Sequence, residues 1–261
     1  MHRNIRNMDF ELFKRIVDES VSAGARRILP FFFGEPFIQT DLGRYLSYIR
    51  LRSEDINISI LTNGTLMSEE KIELLFDNRV NAVAITLDAA TEETYETIRR
   101  KGNLKQAEEN IKGLIRRRKE KRTSLPFISV QFIVLKKNRH EMDAFKKKWE
   151  GIADRVVFGA YTDMAQSIEP YLSPKGLQYV PCFRLWNEIA VCNDGKVALC
   201  CNDWNCSVTL GDVNSQTLGE IWRGEKLQHI RDMHLTRQRG NLSLCSKCYP
   251  EEWDSARQWW H

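Results

Sequence analysis

The sequence predicts an α/β protein of parallel strands joined by helices, followed by a small cysteine-rich module. Between residues 9 and 160 the apolar residues alternate between helical spacing and short continuous runs, as repeated β-loop-α units require. Several runs end in polar or glycine-containing loops, Gly34-Glu35-Pro36, Thr62-Asn63-Gly64 and Thr86 with Asp88. All seven cysteines fall between Cys182 and Cys248, and none lies in the first 181 residues.

Each element has its own signal. Phe10, Phe13, Ile16 and Val17 stand at helical spacing over 9–23, with Asp9 as cap and Gly24 as stop. Arg27 to Phe33 reads as a buried strand ending at Gly34-Glu35-Pro36, and a helix over 41–53 follows. The strand Asn57–Leu61 runs into Thr62-Asn63-Gly64 and precedes a helix from Ser68 to Phe76. A third strand, Asn81–Leu87, ends at Asp88, before helices over Thr91–Arg100 and Leu104–Arg118. A fourth strand, Phe127–Leu135, a helix over 140–149 and a fifth strand, Arg155–Ala160, close the series. Units of this kind carry parallel strands with helical crossovers, and ligands gather at the carboxyl ends of such strands. A linker with Pro170, Pro174 and Gly176 then leads to short elements: an apolar stretch Ile189–Val191, a turn at Asn193-Asp194-Gly195, a strand Lys196–Leu199, and helices over 217–222 and 225–235. The expected domains are therefore 1–165 and 166–261.

Composition excludes several classes. The chain has 261 residues, 42% hydrophobic and 28% charged, which suits a globular protein rather than a disordered one. The apolar run Ile28 to Phe33 is too short to span a bilayer, and the N-terminus has no secretory h-region, so a cytoplasmic protein is expected. A net charge of +4 does not call for nucleic acid. The six basic residues of 116–122 read as a solvated helix end, with an anionic partner as the alternative. Trp253, Trp259 and Trp260 read as aromatics packed back on the module. No His pair, P-loop or Gly-x-Ser-x-Gly elbow is present.

The cysteines carry the chemistry. An odd number, confined to one quarter of a chain with no export signal, argues against a disulfide framework and for metal. Cys182 is followed by twelve residues, Gly195, four residues and Cys200; Cys245-x2-Cys248 comes later. A Cys-x2-Cys turn grips half of a four-thiolate site, and the Asp194-Gly195 turn suits a hairpin returning Cys200 towards Cys182. Spacing alone fits either a cubane iron–sulfur cluster or a structural zinc. Cys192, Cys201 and Cys206 read as buried thiols.

Taken in order, Gly34-Glu35-Pro36, Thr62-Asn63-Gly64, Thr86-Leu87-Asp88 and Tyr95-Glu96-Thr97-Ile98-Arg99 resemble the successive motifs of radical S-adenosylmethionine (radical SAM) enzymes, and Pro181-Cys182 to Cys248 resembles their SPASM/twitch auxiliary domain. The resemblance implies a partial (β/α) TIM-like barrel holding S-adenosylmethionine on its strand-end rim. Gly34, Glu35 and Pro36 match the segment that receives the methionine amino group, Asn63 and Thr86 the polar contacts, and Arg99 a carboxylate partner. Asp88 reads instead as a helix cap or an intraloop hydrogen-bond partner. Cys182, Cys200, Cys245 and Cys248 would ligate one auxiliary 4Fe-4S cluster, and the twitch form with one cluster is expected. The implied reaction cleaves S-adenosylmethionine to a 5'-deoxyadenosyl radical that abstracts hydrogen from a peptide or small-molecule substrate, with flavodoxin or ferredoxin as electron donor.

One departure stands out. The family's catalytic cluster is held by a Cys-x3-Cys-x2-Cys loop after the first strand, and neither that loop nor that strand is present. An N-terminally truncated form, inactive as it stands, is expected, with a degenerate member as the second account. A non-catalytic iron–sulfur or zinc-binding scaffold is the alternative function.

Overall fold

The computed structural model of the protein describes residues 6–100, 102–160, 179–246 and 248. By packing, these fall into two units: residues 26–160, and residues 6–25 together with residues 179–248. The linker prolines, Gly176 and the three tail tryptophans lie outside the described residues.

In the first unit five parallel strands stand in chain order: β1 (Arg27–Ile28), β2 (Asn57–Thr62), β3 (Ala82–Thr86), β4 (Phe127–Val134) and β5 (Arg155–Ala160). An order without reversal is that of a barrel wall, not of a doubly wound sheet. Sequence reading overextended β1, since Arg27 and Ile28 pair with Asn57 and Ile58 but Leu29 to Phe33 are not strand. Pro30 lacks the N–H that a continued ladder needs.

The crossovers are helices with identifiable caps. Helix α2 spans Leu42–Arg52 and α3 Glu69–Asp77, where the Ser68 side chain accepts from the Lys71 N–H. Helix α4 is Glu92–Ile98, capped by Thr91, and α5 is Leu104–Glu120, capped by Asn103. Helix α6 (Met142–Trp149) follows a 3-10 turn, Arg139–Glu141.

Alternation along the strands divides the sheet into two faces. Phe132 stacks edge-on against Phe145 of α6 at 4.9 Å and lies beside Phe158, and Ile85 sits near Ala107 of α5 at Gly64, so these residues mark the helix-covered face. The other face carries Ser59, Leu61, Ala82, Ala84, Thr86, Phe127, Ser129 and Gln131, in register from strand to strand. Its polar positions, Ser59, Thr86, Ser129 and Gln131, are all neutral on β2 to β4.

The basic run that ends α5 is partly paired. Arg117 and Lys121 pair with Glu73, Arg118 with Asp154, and Arg116 with Glu120.

The second unit opens with α1 (Phe10–Ser22), whose N-cap Asp9 accepts from the Glu11 and Leu12 N–H groups. The remaining elements are α7 (Arg184–Asn187), β6 (Ala190–Val191), β7 (Lys196–Ala198), β8 (Thr209–Asp212), α8 (Leu218–Arg223) and α9 (Glu225–Leu235). Strands β6, β7 and β8 form an antiparallel sheet. Its first turn needs Gly195, at φ +96° and crowded by Asn214.

Helix α1 is part of this unit's core. Leu12 packs with Val197, Val213, Leu218 and Ile221, with Met8 and Ile16 alongside. Glu19 accepts the Leu218 N–H at 2.6 Å, and Asn193 donates to the Arg6 carbonyl at 2.9 Å. A domain cut at residue 165 assigns α1 to the sheet; its packing lies with the cysteine module.

Candidate cofactor rim and metal centre

The carboxyl ends of the strands are tied together by buried polar side chains. Gly34, at φ +113°, turns the chain after β1 and nothing fills the space where its Cβ would lie. Glu35 then reaches across to β2: its carboxylate accepts from the Thr62 hydroxyl at 2.5 Å, the Asn63 N–H at 2.8 Å and the Phe37 N–H at 3.4 Å. Pro36 opens a short 3-10 turn, Pro36–Ile38, for which its missing N–H is no loss. Asn63 accepts from both the Thr65 N–H and hydroxyl, shaping the loop after β2. Gly34-Glu35-Pro36 and Thr62-Asn63-Gly64, distant in sequence, are thus one construction.

The next two loops are joined in the same way. Asp88, buried and at φ +66°, accepts from the Ile133 N–H at 2.7 Å and pairs with Arg99 at 2.6 Å. It does not cap α4, which Thr91 caps, and its contacts reach beyond its own loop, so that expectation is corrected. Burial pushes the Asp88 carboxyl up from its ordinary value, while Arg99 and the Ile133 N–H oppose the rise. Asn138 donates to the carbonyls of Asp88 and Ile133 and accepts from the Leu135 N–H. Glu141 receives the Ala90 and Thr91 N–H groups and the hydroxyls of Thr91 and Thr94. Burial would raise its pKa, but those hydrogen bonds more than offset this and leave it lowered. Asn138 and Glu141 were invisible to sequence reading, because they act 50 residues away along the chain.

Two donors at this rim are left over. Arg99 Nε and Gln131 Nε2 are buried without a hydrogen-bond partner. The Thr86 hydroxyl is spent on Gln131 Oε1 at 3.3 Å. A rim that holds back one cationic and one neutral donor fits a ligand bearing a carboxylate and a neutral acceptor, as S-adenosylmethionine does.

In the cysteine module, two thiols are brought to one core. Cys182 and Cys245 both pack against the cluster of Leu185, Leu199, Leu227 and Ile230. The Cys182 N–H is held by His234 Nδ1 at 3.3 Å, and the Cys245-x2-Cys248 turn closes through the Cys248 N–H on the Cys245 carbonyl at 3.2 Å. Cys200 begins a loop organised by buried Asp203, which accepts from Ser207 and Val208.

The five free thiols also feel one another. Burial raises all their pKa values: Cys200 well above the usual thiol range, Cys245 to about 12, Cys201 and Cys248 to about 11, and Cys182 upward. Mutual repulsion adds to burial, from Cys201, Cys182 and Cys248 on Cys200, and from Cys248 and Cys182 on Cys245. Arg184 and Arg239 oppose it at Cys248. Among the described residues no three His, Cys, Asp or Glu side chains converge on a single-ion position. A set of cysteine thiolates is chemically fit for a 4Fe-4S cluster.

One expectation about the cysteines fails. Cys192 and Cys206, read as buried thiols in a chain without disulfides, are joined as a disulfide. The pairing follows from the hairpin that carries Cys192 and from the Asp203-centred loop that returns Cys206. Cys201 remains a thiol, beside the others rather than apart from them.

A parallel barrel wall with a rim of reserved donors, joined in sequence to a thiol-lined module, defines an iron–sulfur protein that also binds a small polar cofactor. Residues 1–146 match the radical SAM superfamily and residues 182–249 an iron–sulfur cluster-binding domain, SPASM. The chain belongs to the radical SAM superfamily, and its cofactors are S-adenosylmethionine and 4Fe-4S chemistry. It is 26% identical to an uncharacterized protein of Treponema pallidum over 91% of this chain and 67% of the relative. It is 22% identical to an S-adenosyl-L-methionine-dependent 2-deoxy-scyllo-inosamine dehydrogenase of Niallia circulans, over 92% and 80%. A match of 27% to a tungsten-containing aldehyde ferredoxin oxidoreductase cofactor-modifying protein of Pyrococcus furiosus spans 52% of this chain and 38% of that one. Among solved structures, anSMEcpe with bound AdoMet shares the fold at a TM-score of 0.65 and 15% identity, covering 97% of this chain and 85% of its own. BtrN in complex with AdoMet and 2-DOIA shares it at 0.59 and 18%, covering 94% and 82%. Among the described residues no helix is long and apolar enough to cross a membrane.

Proposed function

We propose that the chain is a radical SAM/SPASM-type enzyme component that abstracts hydrogen from a peptide or small-molecule substrate, with one auxiliary 4Fe-4S cluster on Cys182, Cys200, Cys245 and Cys248. The observation that carries this reading is that Cys182 and Cys245, 63 residues apart, pack on one apolar cluster within the stretch that matches an iron–sulfur cluster-binding domain. When bound, S-adenosylmethionine supplies a 5'-deoxyadenosyl radical after one-electron reduction by a 4Fe-4S cluster.

The chain's own residues bind and orient. Main-chain carbonyls around Gly34-Glu35-Pro36 receive an ammonium group, because a glycine there lets the backbone approach. Glu35 locks that loop to Asn63, so the two contacts move together. Asn63 offers its amide N–H groups, and Thr86, whose hydroxyl proton is committed to Gln131, offers its remaining lone pairs. Arg99, held by Asp88, turns its free Nε to a carboxylate. In the module, Arg184 and Arg239 place positive charge beside the thiolates, which favours the reduced cluster and so raises its potential. That would suit a centre able to accept the substrate radical's electron, with a flavodoxin or ferredoxin as the expected electron donor.

The catalytic cluster needs the Cys-x3-Cys-x2-Cys loop that these 261 residues do not contain. The reading is tested by anaerobic assay of 5'-deoxyadenosine release under strong reductant. None is expected from the 261-residue chain, and release is expected once such a loop is joined before Met1. No release from the extended, cluster-loaded protein contradicts the proposal. Peptides are named with two structural neighbours, SuiB with precursor peptide SuiA and anSMEcpe with the Cp18Cys peptide, and 2-DOIA with a third. Both substrate classes therefore stay within the proposal.

A further inference from the structure

The face of the sheet turned away from the helices carries a buried amide that the fold leaves half satisfied. Gln131 stands on β4 next to Phe132, whose ring packs on α6, so the alternation of the strand turns Gln131 to the opposite side. It lies in register with Thr86 on β3 and Val157 on β5, and is 1% exposed. The Thr86 hydroxyl donates to Gln131 Oε1, which fixes the amide and leaves Nε2 pointing elsewhere, buried and without a partner. Neighbouring positions on this face carry no other amide, with Ala84, Ser129 and Val157 among them. A methionine of similar length would fill the same space without the orphaned amide donor, while taking from the Thr86 hydroxyl its acceptor. Glutamine here therefore buries a donor that nothing within the described residues satisfies.

A second donor shares the predicament. Arg99 Nε is buried and unpaired, and Arg99 is fastened through Asp88 to the same end of β3 that Thr86 closes. One orphan is cationic and the other neutral. A ligand that satisfies both carries a carboxylate and, apart from it, a hydroxyl, carbonyl or ring nitrogen that accepts a hydrogen bond.

We propose that Gln131 is a cofactor-positioning residue, donating from Nε2 to a neutral acceptor of S-adenosylmethionine while the Thr86 hydroxyl holds the amide in orientation. Charge favours this division of labour, since a neutral amide suits a ribose or adenine acceptor and the guanidinium suits the carboxylate. The inference rests on the radical SAM reading of the rim and adds a residue to it.

The decisive experiment pairs two measurements on the full chain, purified and cluster-reconstituted without oxygen: calorimetric titration with S-adenosylmethionine, and thermal unfolding of the ligand-free protein. Gln131→Met is expected to weaken binding by about tenfold, the worth of one buried hydrogen bond. The same substitution is expected to leave the melting temperature of the free protein within about 2 °C of the wild type, because removing an unsatisfied buried group offsets the lost Thr86 hydrogen bond. Gln131→Glu, which keeps the acceptor and loses the donor, is expected to bind as weakly as Gln131→Met. A Gln131→Met protein that binds as tightly as the wild type, or that melts more than about 2 °C below it, overturns the inference, since a merely structural glutamine gives that result. Failure of the wild-type protein to bind S-adenosylmethionine overturns instead the reading of the rim on which the inference rests.

Discussion

The sheet and the cysteine module are stabilised by different means. The sheet has long ladders, with buried Ile58, Ile60, Ile85, Val130 and Phe132 in its strands, and the loops of its polar rim are held by side chains of the same unit, with Arg99 Nε and Gln131 Nε2 left over. The module has strands of two to four residues and two small apolar clusters, one of which is completed only by α1 from the other end of the chain. Short elements bury too little surface to hold five free thiols in place unaided. The sheet is therefore built to keep its shape while a ligand comes and goes, and the module is built around its inorganic centre.

The largest effect should come from breaking the module at its sulfur. Cys245→Ser with Cys248→Ser removes half of the ligand set. Loss of the cluster's visible absorption and of amide-exchange protection across 182–246 is expected, with protection in β2 to β5 retained. Equal loss in both units would show that the sheet also depends on the cluster. Next in size is Leu12→Ala, expected to cost about 2–4 kcal/mol and to loosen exchange in β8 and α8. If the loss falls on β1 and β2 instead, α1 belongs with the sheet.

A smaller effect sharpens the account of the rim. Glu141→Gln keeps the shape but loses the anion that four donors surround, and should cost about 1–3 kcal/mol. Because the native pKa of Glu141 is lowered, its contribution is present above the ordinary carboxylate value and is lost as pH falls through the lowered one. The wild type and variant should therefore converge in melting temperature under acid conditions; a constant gap contradicts the assignment. The smallest effect is expected at Glu73, whose carboxyl is pushed down to about 2 by Arg117 and Lys121 yet lies exposed. Glu73→Gln should leave the melting temperature unchanged at physiological salt.

The same contrast explains what sequence could and could not reveal. Strands β2 to β5 and their helices were legible because each advertises its own period and caps, as Asp9, Ser68 and Thr91 do. The iron–sulfur module was legible from the crowding of cysteines between Cys182 and Cys248 and from the family pattern. β1 was overread because Pro30 interrupts a run whose composition still looks like a strand. The attachment of α1 to the module was hidden, since an amphipathic helix states that it has a partner but not which one. Asn138, Glu141 and Gln131 were hidden for a related reason: each is an ordinary polar residue until the fold sets it against a polar group 45 to 51 residues away. The Cys192–Cys206 pair depended on a loop geometry set by Asp203, which no spacing rule encodes.

The central claim is that Cys182, Cys200, Cys245 and Cys248 hold one four-iron cluster. Iron, acid-labile sulfide and zinc should be quantified in anaerobically purified protein, together with its Mössbauer spectrum. About four irons and four sulfides per chain, in a cubane signature, are expected; a colourless protein carrying one zinc per chain and no sulfide would contradict it.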